Sequence, residues 1–138
     1  MRLGVLISFA AIGVGALAGS AFAADDCANA GDQATMNQCA DKAYRVSDAR
    51  LNDLYRQIRT RLKDDKDTTR MLVSAQKAWI AYRDAECNFA SSGVAQGSMY
   101  PMILAGCLDG LTQNRVASFK AYLDCEEGDP SCPVPAAD

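Results

Sequence analysis

The residue types best suited to chemistry gather in one stretch, Gln76-Lys77-Ala78-Trp79-Ile80-Ala81-Tyr82-Arg83-Asp84-Ala85-Glu86-Cys87. What they can do is limited. Helical spacing sets Gln76, Trp79, Arg83 and Cys87 nearly in line, so Arg83 can stack on Trp79 as a cation-π pair or fork onto a carboxylate of a facing helix. Gln76, Trp79 and Arg83 therefore read as a structural clamp beside a disulfide. Asp84 and Glu86, two residues apart on a helix, point about 160 to 200° from each other and cannot flank one glycosidic bond. The chain has no histidine, so a serine or cysteine nucleophile lacks its usual base. We assign no catalytic residue and expect no enzyme. No nucleotide-binding glycine motif is present either, and no cofactor is expected.

Six cysteines, Cys27, Cys39, Cys87, Cys107, Cys125 and Cys132, form an even set. Zinc is disfavoured as their purpose, because no histidine is available and no two cysteines have the two-to-four-residue spacing of a structural site. In an oxidising compartment such a set reads as disulfides. Six cysteines allow 15 pairings. We favour Cys27 with Cys39, Cys87 with Cys107 and Cys125 with Cys132, since each closes a short loop or turn between expected elements. The chain-entropy model credits loops of 10 to 20 residues with roughly 3 kcal/mol each, less any strain.

That compartment is implied by the start of the chain. Met1-Arg2 is a short basic lead, Leu3 to Ala18 is small and apolar, and Ala21-Phe22-Ala23 has the small-x-small form that signal peptidase accepts. Residues 1–23 are expected to be a cleaved signal, which places the mature protein in the periplasm with no membrane anchor. The apolar run is shorter than the ~20 residues that span a bilayer. Cys27 follows Asp25-Asp26, an arrangement unlike a lipidation site. The whole chain carries a net charge of -3, and loss of Arg2 with the signal leaves the mature chain more acidic still. An acidic surface has little to hold a polyanion, so nucleic acid is not an expected partner.

Three elements must position these groups. Thr35-Met36-Asn37-Gln38 has capping-box form, and Ala40, Ala43, Ser47, Leu51, Leu54, Ile58 and Leu62 then recur at helical spacing. Asp41 and Arg45 are four apart in the favourable order. Lys63 to Asp67 is a charged break, with Asp67 or Thr68 as N-cap of a second helix reaching about Asn88. Its bulk lies in Leu72, Ala75, Trp79, Tyr82 and Phe89, a stripe wide enough for a central helix touched on two sides. A third helix, capped by Ser98 with Pro101 in its first turn, carries Leu104, Cys107, Leu108, Leu111, Phe119 and Tyr122 to about Asp124. Gly106 and Gly110, four apart, suggest close packing on the second helix. The tail from Glu126 to residue 138 is acidic and proline-containing, with Cys132 as its expected anchor. No period-two stretch suits a sheet, so the expected fold is all-α, a disulfide-stapled three-helix up-down-up bundle over 24–125.

Between the second and third helices, Ala90 to Gly97 is small and flexible in composition, and it hangs between Cys87 and Cys107. Ser91, Ser92, Gly93 and the neighbouring Tyr100 are the candidate partner contacts.

In Met36-Asn37-Gln38-Cys39-Ala40, Leu51-Asn52-Asp53-Leu54-Tyr55, the stretch from Ala75 to Cys87, the Gly97-Ser98 turn, and Cys107 with Leu111-Thr112-Gln113-Asn114-Arg115, the chain resembles the LprI family of small secreted helical proteins. The resemblance runs from about Cys27 to Leu123. It implies a disulfide-bonded extracytoplasmic domain and, through the lysozyme inhibitor that typifies the family, a protein partner: lysozyme or another cell-wall lytic enzyme. Cys125 and Cys132 look like additions to the common core, and the lipidation cysteine of the typifying member is absent. The alternative is a structural or regulatory interaction protein for an endogenous periplasmic partner, since a shared scaffold does not fix activity.

Overall fold

The computed structural model describes residues 27–126 and 128–137, and the expected signal segment, 1–23, lies outside them. Three long helices follow one another: α1 (Gln33–Arg61), α2 (Lys66–Ser91) and α3 (Tyr100–Leu123), with a short 3-10 turn, Ser92–Val94, after α2. No strand occurs among the described residues. Asn37 at the start of α1 meets Ser98 just before α3, and Arg61 at the end of α1 meets Leu123 at the end of α3. Helices α1 and α3 are therefore parallel neighbours, with α2 running the other way. The chain is an up-down-up bundle.

Helices α1 and α2 begin in the same way. Asp32 caps α1 by accepting from the Thr35 amide at 2.9 Å and the Thr35 hydroxyl at 2.6 Å. Asp65 caps α2 by accepting from the amides of Asp67 and Thr68, at 3.1 and 3.0 Å, and from the Thr68 hydroxyl at 2.7 Å. In both places a carboxylate satisfies amides that the first turn leaves without partners. This corrects the expected caps: Thr35, and Asp67 or Thr68, sit inside the first turn, because aspartate three residues before a threonine offers the stronger acceptor. Ser98 does not cap α3 either. Met99 stands at that position without a side-chain bond, and Pro101 occupies the first turn.

The core fills one end of the bundle. Leu51, Leu54, Ile58 and Leu62 of the α1 stripe meet Leu72, Phe119 and Leu123, with Tyr55, Trp79, Val116 and Tyr122 packed around them. The Phe119 ring lies between Tyr55 and Tyr122, with centroids at 6.3 and 6.2 Å. Each fully buried side chain of this size contributes about 1.5–3 kcal/mol of transfer free energy. The tail adds to this end. Val134 is only 3% exposed and belongs to the same cluster, while Arg61 Nη1 donates to the carbonyl oxygens of Leu123 and Pro135 at 2.7 and 3.5 Å. More than Cys132 holds the tail.

At the opposite end two disulfides, Cys27–Cys39 and Cys87–Cys107, replace apolar bulk, while Cys125–Cys132 closes the tail at the core end. Cys27–Cys39, Cys87–Cys107 and Cys125–Cys132 are all formed, with Cα separations of 5.6, 5.5 and 5.7 Å. The pairing is the one favoured from loop length.

Two packing expectations fail. A Cβ built on Gly106 or Gly110 meets nothing within 4 Å, so these glycines face solvent and bring no helix closer. Helix α2 is packed on one side only: Leu72, Gln76, Arg83 and Cys87 are buried, whereas Ala75, Ala78, Ala81, Tyr82, Ala85 and Phe89 are exposed. The close partner of α3 is α1, which leaves α2 at the side of the bundle.

Candidate functional site

Arg83 is the hub of a polar cluster at mid-height. Its Nη1 donates to Asp48 Oδ1 on α1 at 3.2 Å and to Thr112 Oγ1 on α3 at 3.4 Å, and its Nε donates to Asp84 Oδ1 at 2.9 Å. The guanidinium also lies 5.2 Å from the Trp79 ring centroid and 5.5 Å from that of Tyr44. Both contacts foreseen for Arg83, the aromatic face and the facing carboxylate, are therefore made at once. Burial works against its charge, but hydrogen bonds and nearby charge from Asp84, Tyr44 and Asp48 hold its pKa above the ordinary arginine value. Gln76 serves a second arginine: its Oε1 accepts from Arg115 Nε at 3.2 Å, and Arg115 lies over Phe119 and Trp79 at 4.6 and 5.8 Å. Desolvation draws the Arg115 pKa down. Trp79 thus lies against both Arg83 and Arg115, Gln76 holds Arg115, and Arg83 links α2 to α1 and α3.

Asp48, Thr112, Tyr44 and Arg115 complete the cluster, and sequence reading missed all four as partners. Their signal is faint: a partner on another helix obeys no local spacing. Asp84 is engaged by Arg83, and Glu86 stands exposed on another side of α2. The arrangement binds helices together, with Asp48 and Asp84 both held on the Arg83 guanidinium. Among the described residues no three His, Cys, Asp or Glu side chains group as metal ligands.

The tip between α2 and α3 is firmly mounted. The Ser91 hydroxyl donates to the Cys87 carbonyl at 2.7 Å and is wholly buried, ending α2 beside the Cys87–Cys107 bridge. Successive turns follow: Ala95 N to Ser92 O at 3.3 Å, Gly97 N to Val94 O at 2.8 Å, and Tyr100 N to Gly97 O at 3.1 Å. Asn37 Nδ2 then donates to Ser98 O at 3.0 Å, pinning the tip to the start of α1. Cys39, two residues further along α1, carries the bridge to Cys27. Composition suggests a flexible connection, whereas backbone bonds, the Asn37–Ser98 contact and the Cys87–Cys107 bridge hold it in a defined arrangement.

Of the candidate contacts, Ser92 and Gly93 are exposed and Tyr100 is half-buried. Ser91 faces inward, because its hydroxyl satisfies the last turn of α2, so its place at the surface passes to its neighbours. No charged residue lies between Glu86 and Asp109. The tip is neutral, and acidic groups stand on either side of it in sequence.

A shallow groove of about 670 Å³ runs between α1 and α3, floored by Ala43, Val46, Val116 and Ala117 and bordered by Arg50 and Lys120. Its lining is mainly apolar, with Lys42, Arg50 and Lys120 and one carboxylate, Asp109, among the charged groups.

Architecture and site define a small disulfide-stapled three-helix protein whose polar cluster ties helices together and whose tip is uncharged and rigidly held. The chain belongs to the lysozyme inhibitor LprI family, whose model matches residues 23–119. That family is one of inhibitors and not of catalysts. The chain is also similar to an uncharacterised protein of Rhizobium meliloti (strain 1021), 38% identical over 113 residues that cover 74% of this chain and 81% of the relative. No solved structure matches it. No helix among the described residues is long and apolar enough to cross a membrane.

Proposed function

We propose that this chain is exported to the periplasm and blocks a lysozyme-type cell-wall lytic enzyme by seating the 92–100 tip in the enzyme's cleft. The observation that carries the reading is the family match over residues 23–119. The tip supports it physically. An occluding element gains affinity when it is ordered before binding, since the entropy of ordering is then not lost on association. The bonds from Asn37 to Ser98 and from Cys87 to Cys107 supply that order. A neutral tip also loses little on desolvation. Acidic residues such as Glu86 and the net charge of -3 suit a basic enzyme and speed its encounter.

Titration calorimetry of the disulfide-intact protein with chicken-type lysozyme, paired with a cell-lysis assay, tests this. Heat of binding and a parallel loss of lysis are expected. Gly93→Arg, at a position where an added Cβ meets nothing within 4 Å, keeps the fold and weakens both. No heat at about 50 μM, where a micromolar complex would be saturated, together with undiminished lysis, refutes lysozyme as the target.

A further inference from the structure

Helix α2 has a second apolar face that none of the described residues covers. Met71, Ala75, Ala78, Tyr82, Ala85 and Phe89 recur at spacings of four, three, four, three and four. All six are exposed, Met71 to 63%, Tyr82 to 55% and Phe89 to 76%. That alternation is the 3.5-residue period of a coiled-coil seam. Helix propensity accounts for the alanines of this line, but not for Met71, Tyr82 and Phe89 standing exposed along it.

We propose that this face is the interface of an antiparallel homodimer, in which α2 of one copy lies along α2 of a second about a twofold axis midway between Ala78 and Tyr82. The order of side-chain sizes favours a second copy as the occupant. With that axis Tyr82 meets Ala78 of the second copy, Ala75 meets Ala85, and Phe89 meets Met71. Large faces small at the centre, and the two ends are equivalent, so the contact closes on itself as a twofold interface must.

The ends fit as knob and socket. Phe89, the most exposed large apolar side chain, arrives beside Met71, which with Leu72, Ala75, Tyr122 and Val134 lines a groove of about 270 Å³. Apolar cavities of about 150 Å³ accept benzene. Charge agrees with the pairing. Glu86 borders the seam on one side and comes to the end where Arg115 lines the same groove of the second copy. On the other border Ser74 faces Asn88 and Ala81 faces itself, so no like charges meet.

Area sets the strength. Aromatic side chains present about 150–250 Å² each. The exposed parts of Phe89, Tyr82, Met71 and three alanines amount to roughly 500 Å² per copy and about 1,000 Å² for the pair, the lower bound for a specific interface. A dimer with micromolar dissociation is expected.

Sedimentation equilibrium on the protein with its three disulfides intact reads this directly, and it needs no lytic enzyme, so its outcome is separate from that of the proposed inhibition. A concentration-dependent monomer–dimer equilibrium is expected. Phe89→Glu should weaken it at least tenfold while circular dichroism shows unchanged helicity, and Phe89→Leu should largely retain it. A wild-type protein that stays monomeric at about 1 mM overturns the proposal, as that excludes even a weak specific interface. A dimer indifferent to Phe89→Glu overturns it too. So does a protein always monomeric whose lysozyme binding is lost on Phe89→Glu, which would assign the face to the enzyme.

Discussion

Arg83 on α2 reaches Asp48 on α1 at 3.2 Å, and the same nitrogen lies 3.4 Å from the Thr112 hydroxyl on α3. One guanidinium thus fixes the relative rotation of all three helices. Arg83 is 6% exposed, whereas Asp48 and Asp84 remain partly in water, so the ions are not wholly desolvated.

Arg83→Ala should therefore destabilise the protein by about 2 kcal/mol, the range of a charged hydrogen-bond set with solvated partners. Arg83→Lys should recover some of this and not all, because an ammonium cannot fork between Asp48 and Asp84 while stacking on Trp79. Thermal melts followed by circular dichroism check both. Equal stability of wild type and Arg83→Ala would remove the clamp role.

Gly106→Ala and Gly110→Ala should each stabilise by up to about 1 kcal/mol. Both positions are helical, and an added Cβ meets nothing within 4 Å, so the gain in helix propensity meets no steric cost. A rise in melting temperature for each single variant, near-additive in the double, is the expected result. A fall would mean that these glycines serve a contact outside the monomer.

The caps predict an acid limb. Hydrogen bonds from Thr35 and Thr68, the side chain first and the backbone next, hold the Asp32 and Asp65 carboxyls below their ordinary values. Groups depressed on folding stabilise fully above their unfolded pKa of about 3.9, and that stability is lost as pH falls through the native value. Stability should be flat with respect to these groups above about pH 5 and decline below about pH 4. Asp65→Asn still accepts hydrogen bonds but no longer titrates there, so its decline should be shallower. Asp65→Ala should be less stable at every pH.

Val134 joins the tail to the core. Val134→Ala, which removes two buried methyl groups at a site 3% exposed, should cost about 1.5–2 kcal/mol. Denaturant titration with the Cys125–Cys132 bridge intact isolates this from the disulfide. No change would show that the tail is held by the bridge and by Arg61 alone.

Much of the fold is legible in order along the chain. The α1 stripe from Ser47 to Leu62, the charged break before α2, Pro101 in the first turn of α3 and the three disulfide pairs all follow from local period or loop length. The caps are displaced by a few residues because Asp32 and Asp65 compete with the threonines, and local composition suits either. The candidate site is less legible. Gln76, Trp79 and Arg83 are visible as one line on α2, but Asp48, Thr112 and Arg115 are not, since their partnership depends on how helices rotate against each other.

Sequence alone determined the helical period, the short covalent loops and the uncharged stretch between Glu86 and Asp109, because each depends on neighbours along the chain. Tertiary structure alone decided which face of α2 is packed, that Gly106 and Gly110 look outward, that Ser91 turns inward, and that Val134 returns to the core. The reason is physical. Local period alone does not choose between the line of Leu72, Gln76, Trp79, Arg83 and Cys87 and the apolar line of Met71, Tyr82 and Phe89; the partners that α1 and α3 offer, Asp48 and Thr112 to Arg83 and Arg115 to Gln76, select the first.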